Sequence, residues 1–116
     1  MPRSMLSPQA IQETAQKIIR HASSPARVII FGSYGRGDAD EDSDLDLLVI
    51  ERHLEDFTSE YVALRKAVGA LGVGVDLLLM SEQDFDQCKD WCSSPVYWAH
   101  REGRVVRGAR GTDHIA

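Results

Sequence analysis

Cysteine is scarce in this chain, with two in 116 residues, and that excludes a disulfide-built scaffold. Cys88 and Cys92 lie four apart with no second ligand pair, so they read as two small half-buried side chains of one helix rather than a zinc site. Basic residues are in deficit: 13 Lys and Arg stand against 18 Asp and Glu, for a net charge of −5. Broad electrostatic binding to DNA or RNA needs a basic face, and this balance argues against it. No unbroken apolar run exceeds about five residues, well short of a membrane span. Met1-Pro2-Arg3-Ser4 leads into no signal-like apolar segment, so the expectation is a soluble, cytoplasmic protein. No Gly-Lys-Ser/Thr occurs, which removes the P-loop.

What remains is a chain long enough for one domain with a modest core. That domain is expected to span residues 1–116, with a loose tail over 109–116.

The chemistry is concentrated between Val28 and Ile50. Two apolar runs, Arg27 to Phe31 and Leu45 to Ile50, read as short buried strands separated by a glycine-rich turn and an acidic loop. Asp44 and Asp46 are two apart, so on a strand they project from one face while Leu45, Leu47 and Val49 face the other way. Two like charges side by side repel. Such a pair persists where a cation sits between its members, and hard oxygen ligands with room for water and phosphate suit Mg²⁺. Upstream, Gly32-Ser33 follows the first strand directly. Gly35 and Gly37 keep that turn free of Cβ atoms, so backbone N–H groups can approach an anion, best guessed as a phosphate.

Competing readings of these residues fail. Gly32-x-x-Gly35-x-Gly37 reverses the dinucleotide-binding order. A calcium loop starting at Asp38 has Ser43 at its glycine position and Val49 at its glutamate position; one starting at Asp40 has Glu51 in place but Leu45 where glycine belongs. Asp38 to Asp42 therefore read as a solvated acidic loop. Unpaired carboxylates on a largely apolar strand are costly, so Asp44 and Asp46 do not share that reading.

Gly32-Ser33, ten residues, then Asp44-x-Asp46 resembles the nucleotidyltransferase superfamily of DNA polymerase beta type, in its single-domain minimal nucleotidyltransferase branch. Arg36, Gly37, Ser43 and Leu47 match the fuller pattern. The resemblance implies an α/β (α+β) nucleotidyltransferase fold, with a small mixed sheet of three to four strands flanked by helices. It also implies a third carboxylate on a neighbouring strand, for which the single acid in Val73 to Met80, Asp76, is the match. Asp44, Asp46 and Asp76 would then be both catalytic residues and ligands of two Mg²⁺ ions, with ATP the common donor in this branch. Gly32, Ser33, Arg36 and Ser43 are the residues expected at the nucleotide. Ser33 would donate to a phosphate oxygen; Arg36 would neutralise the triphosphate or pair with the acidic loop; Ser43 would cap or turn the chain before the carboxylate strand.

Single-domain members of that branch act as antitoxins of HEPN-type ribonuclease toxins, some by transferring AMP to a toxin tyrosine. Transfer to a small molecule such as an aminoglycoside, and a non-catalytic binding antitoxin, are the alternatives. The resemblance leaves both a homo-oligomer and a hetero-oligomer open. A stretch of 116 residues is too short for a catalytic domain plus a separate acceptor-binding domain, so the acceptor site is expected to be shallow or supplied by a partner.

The rest reads as scaffold. Ser7-Pro8 starts a helix to about His21. Ser33 opens a short helical turn. A second long helix runs from about Asp56 or Thr58 through Leu71, with Gly69 inside it and Gly72 ending it. Ser81-x-x-Asp84 caps a helix from Glu82 to about Trp91, and Ser94-Pro95 starts a last helix stopped by Gly103. Glu102-Gly103-Arg104-Val105 looks like the "EGR-V" segment of branch members, and Val105-Val106 reads as an edge strand or an extended tail.

Overall fold

The computed structural model describes residues 6–91 and 95–107. Helix α1 (Pro8–His21) begins where expected: Ser7 caps it, its Oγ accepting from Ala10 N at 3.0 Å, and proline occupies the first turn. Its stripe Ile11, Ala15 and Ile18 is buried. Strand β1 (Ala26–Phe31) passes directly into α2 (Gly32–Arg36), and after the acidic loop the chain enters β2 (Leu45–Glu51). Then follow α3 (Phe57–Val68), β3 (Val75–Ser81), α4 (Glu82–Cys88), α5 (Pro95–Glu102) and β4 (Arg104–Arg107).

The four strands form one mixed sheet in the order β3-β2-β1-β4. β1 is antiparallel to both β2 and β4, whereas β2 and β3 run parallel. Both faces of β2 are covered. Leu45, Leu47 and Val49 join Ile11, Ala15, Ile18, Leu64 and Val68 under α1 and α3. Leu48 and Ile50 join Ile29, Phe85, Val96 and Ala99 under α4 and α5. Each fully buried Leu or Ile here contributes roughly 2 kcal/mol by removal from water, which is why so short a strand holds its register.

Two helices stop earlier than the sequence reading expects. α3 ends at Val68, because Gly69 takes φ +68°, a conformation open to glycine, and its N–H closes on Arg65 O at 3.2 Å. α4 ends at Cys88 rather than near Trp91, with Lys89 N bonded to Phe85 O at 2.9 Å. Ser81 caps α4 as expected, accepting from Asp84 N at 3.1 Å. The third strand begins at Val75, two residues later than read, although Gly74 O already accepts from Leu45 N at 2.8 Å. Val105-Val106 does lie in an edge strand, β4. The expected cap Ser94, Cys92 and the tail over 109–116 lie outside the described residues. Among the described residues no helix is long and apolar enough to cross a membrane.

Candidate active site

The parallel register of β2 and β3 sets Asp46 directly beside Asp76. On its other side Asp46 is opposite Phe31, the last residue of β1. The two carboxyls are within hydrogen-bonding reach, and the Asp46 carboxyl is pushed up to about 6. Burial is the largest cause, followed by the hydrogen bond and charge of Asp76 and the charge of Asp44; Arg36 pulls the other way. Asp46 is therefore a half-buried acid whose carboxyl is raised by partial burial and then by its acidic neighbours.

Two glycines make room for the carboxylates. Gly32 has φ +67°, and a Cβ there would overlap Asp46 Oδ2. Gly74, which the sequence reading passed over, does the same for Asp44: a Cβ would overlap Asp44 Oδ1. A glycine two residues before the lone acid of an apolar strand was the available signal, legible only once β3 is known to lie beside β2. Asp44 sits one residue before β2 begins, near enough for its charge to act on Asp46. Among the described residues no three His, Cys, Asp or Glu side chains are gathered closely enough to hold a metal ion unaided. The fold thus brings Asp46 and Asp76 together as a pair and keeps Asp44 at their margin.

Ser33 lies in the first turn of α2, and its carbonyl accepts from both Gly37 N and Asp38 N at 3.0 Å. Arg36, at the end of that turn, pairs with Asp38 at 3.3 Å and Glu102 at 3.7 Å. It holds the acidic loop while staying near enough to Asp46 to act on it. These are solvent-facing pairs, worth under about 1 kcal/mol each, so the guanidinium is not locked away from an anion. Ser43 turns the chain: its Oγ accepts from Asp40 N at 2.9 Å and lies 3.1 Å from Asp40 Oδ1. Glu102 and Arg104 also acquire a physical role. Arg104 Nη2 donates to Tyr34 O at 2.9 Å, so the segment between α5 and β4 buttresses the turn that carries Ser33 and Arg36.

A cleft of about 570 Å³ opens beside the pair, lined by Asp46, Asp76, Phe31, Pro95, Tyr61 and Arg65, with Val75, Leu77 and Leu78 along β3. Tyr61 and Arg65 were read as helix positions only; no periodicity could tell that their turn of α3 meets this cleft. A glycine-rich turn leading into an acid pair at one end of a mixed sheet has the chemistry to meet an anion and a cation together.

The model of the nucleotidyltransferase domain family matches residues 12–97. This chain belongs to that family. The nucleotidyltransferase is 34% identical over 86 residues to a putative protein adenylyltransferase of Methanocaldococcus jannaschii, covering 69% of this chain and 76% of that relative. A second putative protein adenylyltransferase of the same organism is 57% identical over 28 residues, or 24% of this chain and 28% of the relative. Among solved structures, a toxin-antitoxin with AMP-PNP superposes with a TM-score of 0.59 at 20% identity, over 90% of this chain and 78% of that one. A putative nucleotidyltransferase from Sulfolobus solfataricus superposes with a TM-score of 0.51 at 25% identity, over 71% and 73%. The first likeness is one of fold.

A second cleft, of about 490 Å³, lies at the far end of β2, where Glu51, Glu60, Ser23 and Ser24 meet. Glu51 is fully buried, and its carboxyl is pushed up to about 8, first by burial and then by the hydrogen bond and charge of Glu60. Burial also acts to raise Glu60, but bonds from Glu51 and from Ser23 N and Oγ, the latter at 2.8 and 2.6 Å, outweigh it and hold Glu60 ionised. Glu51 is thus the member of the pair raised and Glu60 the member lowered, and Glu51 Oε2 is buried without a hydrogen-bond partner.

Proposed function

We propose that this nucleotidyltransferase moves AMP from ATP to a hydroxyl on a partner protein, and that the partner is a HEPN-type toxin for which the chain is the antitoxin. The observation that carries this reading is the Asp46–Asp76 pair on adjacent strands beside the Gly32–Ser33 turn. The similarity to putative protein adenylyltransferases supports AMP as the group transferred. The toxin-antitoxin neighbours share the fold and so are consistent with the partner.

The donor set fits a divalent cation. All its side-chain donors are carboxylate oxygens, and the raised Asp46 carboxyl is what an added positive charge would relieve. Mg²⁺ is held by one or two carboxylates with substrate phosphates completing its shell, so Asp46 and Asp76, with Asp44 at their margin, would hold it. When bound, such ions neutralise the triphosphate and acidify the attacking hydroxyl. The chain's own residues do the rest. The amides and hydroxyl of Gly32-Ser33 orient the phosphates, and Arg36 offsets their charge. The acceptor oxygen bonds to the α-phosphorus as the bond to the bridging oxygen breaks and pyrophosphate leaves. The hydroxyl proton passes to a carboxylate, a role we assign to Asp76, which lines the cleft.

The experiment is incubation with ATP labelled at the α-phosphate and Mg²⁺, with and without the protein encoded beside this one, comparing wild type with Asp44→Ala/Asp46→Ala. Label on the neighbour with wild type alone is the expected result. Nucleotide binding without label on any protein would move the acceptor to a small molecule or leave a non-catalytic antitoxin.

A further inference from the structure

Val75, Asp76, Leu77 and Leu78 all line the cleft beside the acid pair. Successive residues of a strand point to opposite faces of the sheet, so a cavity touching all four wraps round the strand's edge from the face it shares with Phe31 and Asp46. Among the described residues β3 pairs only with β2. One wall of the groove carries Asp46, Phe31 and Pro95; the other carries Tyr61 and Arg65 of α3.

The outward groups of this edge can be assigned. Arg65 Nη1 donates to Val75 O at 2.9 Å, so that carbonyl points away from β2. Alternation then turns the N–H and C=O of Leu77 and Leu79 the same way. Soluble proteins blunt such edges with shortness, Lys or Pro. The opposite edge, β4, is four residues long with Arg104 and Arg107 at its ends. β3 has seven residues and no Lys, Arg or Pro. Arg65 covers the first outward carbonyl of β3, and the edge beyond it, beside two acids, is a template for strand addition.

We propose that an extended segment of the acceptor protein adds to β3 as a further strand and so presents its hydroxyl to Asp46 and Asp76; this rests on the transfer reading above. Directly paired residues on neighbouring strands share a face, so the modified residue is the one opposite Asp76. Its two chain neighbours fall on the other face, toward Tyr61 and Arg65, where aromatic or acidic side chains find partners. The edge therefore selects the acceptor by backbone shape and places the reacting oxygen by register.

The test uses the wild-type chain, α-labelled ATP with Mg²⁺, and a library of nonapeptides with a fixed central Tyr, Ser or Thr. Labelled peptides are resynthesised with one backbone N-methyl group at each position in turn. Methylation at every second position is expected to lower labelling about tenfold, the loss of one hydrogen bond, with the intervening positions little changed. The Leu77 and Leu79 amides should also gain protection from hydrogen exchange when peptide is added. Labelling without that alternation, or protection elsewhere, overturns the edge and leaves the transfer reading intact. The same holds if no peptide is labelled while wild type, but not Asp44→Ala/Asp46→Ala, still modifies the neighbouring protein. Protection of these amides in the chain alone as its concentration rises assigns the edge to a second copy and also overturns the proposal. A chain that binds no nucleotide loses both readings.

Discussion

Asp46 and Asp76 face each other across the parallel pairing of β2 and β3, and the bond and charge of Asp76 help to raise the Asp46 carboxyl. Like charges at hydrogen-bonding range oppose folding, so the pair is expected to cost stability. Asp46→Asn and Asp76→Asn are each expected to leave the melting temperature of the nucleotide-free protein unchanged or higher, while lowering AMP transfer by about 10²-fold or more. Calorimetry and the labelling assay on the same preparations check both halves.

The same pair predicts a response to divalent ions. Mg²⁺ that binds the folded chain raises its melting temperature by mass action. That shift should shrink in Asp46→Asn/Asp76→Asn and vanish on addition of a chelator, as read by thermal scans over a Mg²⁺ series.

Gly32 and Gly74 are predicted to act through the carboxylates that they accommodate. Gly32→Ala meets both a left-handed backbone and Asp46 Oδ2, and should cost about 1–3 kcal/mol in denaturant titration as well as activity. Gly74→Ala meets Asp44 Oδ1 without a positive φ. Removing that carboxylate with Asp44→Ala should therefore recover most of its stability loss, a coupling that a double-mutant cycle measures.

Glu51 predicts how stability depends on pH, away from the site. Its carboxyl lies at about 8 in the folded chain against 4.5 for an ordinary glutamate. The folded state binds the extra proton across that window, so its stabilising effect is whole below about 4.5 and is lost as pH rises through about 8. Melting temperature should fall between neutral and mildly alkaline pH. Glu51→Gln, whose amide can donate to Glu60 at any pH, should flatten that fall, whereas Glu51→Ala should lower stability throughout.

Much of the fold was legible because its signals are local. Ser7-Pro8 and Ser81 announce helix starts through side chains that reach backbone donors three residues on. The alternation around Asp46 announces a strand. Where the reading overran, at Gly69, tertiary geometry chose between two glycines that the sequence could not rank. The distance from Gly32-Ser33 to Asp44-x-Asp46 carried the family, because a turn that cradles an anion and a strand that bears acids must follow each other closely.

Those local rules are what this sequence determined by itself: period, caps, turn chemistry and the kind of chemistry its residues can support. Only the tertiary structure decided that β3 lies beside β2, that Asp76 therefore meets Asp46, that Gly74 makes room for Asp44, and that Tyr61 and Arg65 wall the groove. It also closed Glu60 over Glu51 at the far end of β2. Caps and periodicity depend on neighbours within about one helical turn. Strand order and register depend on burying both faces of the whole sheet at once, and a slip of one residue would turn every side chain to the wrong face.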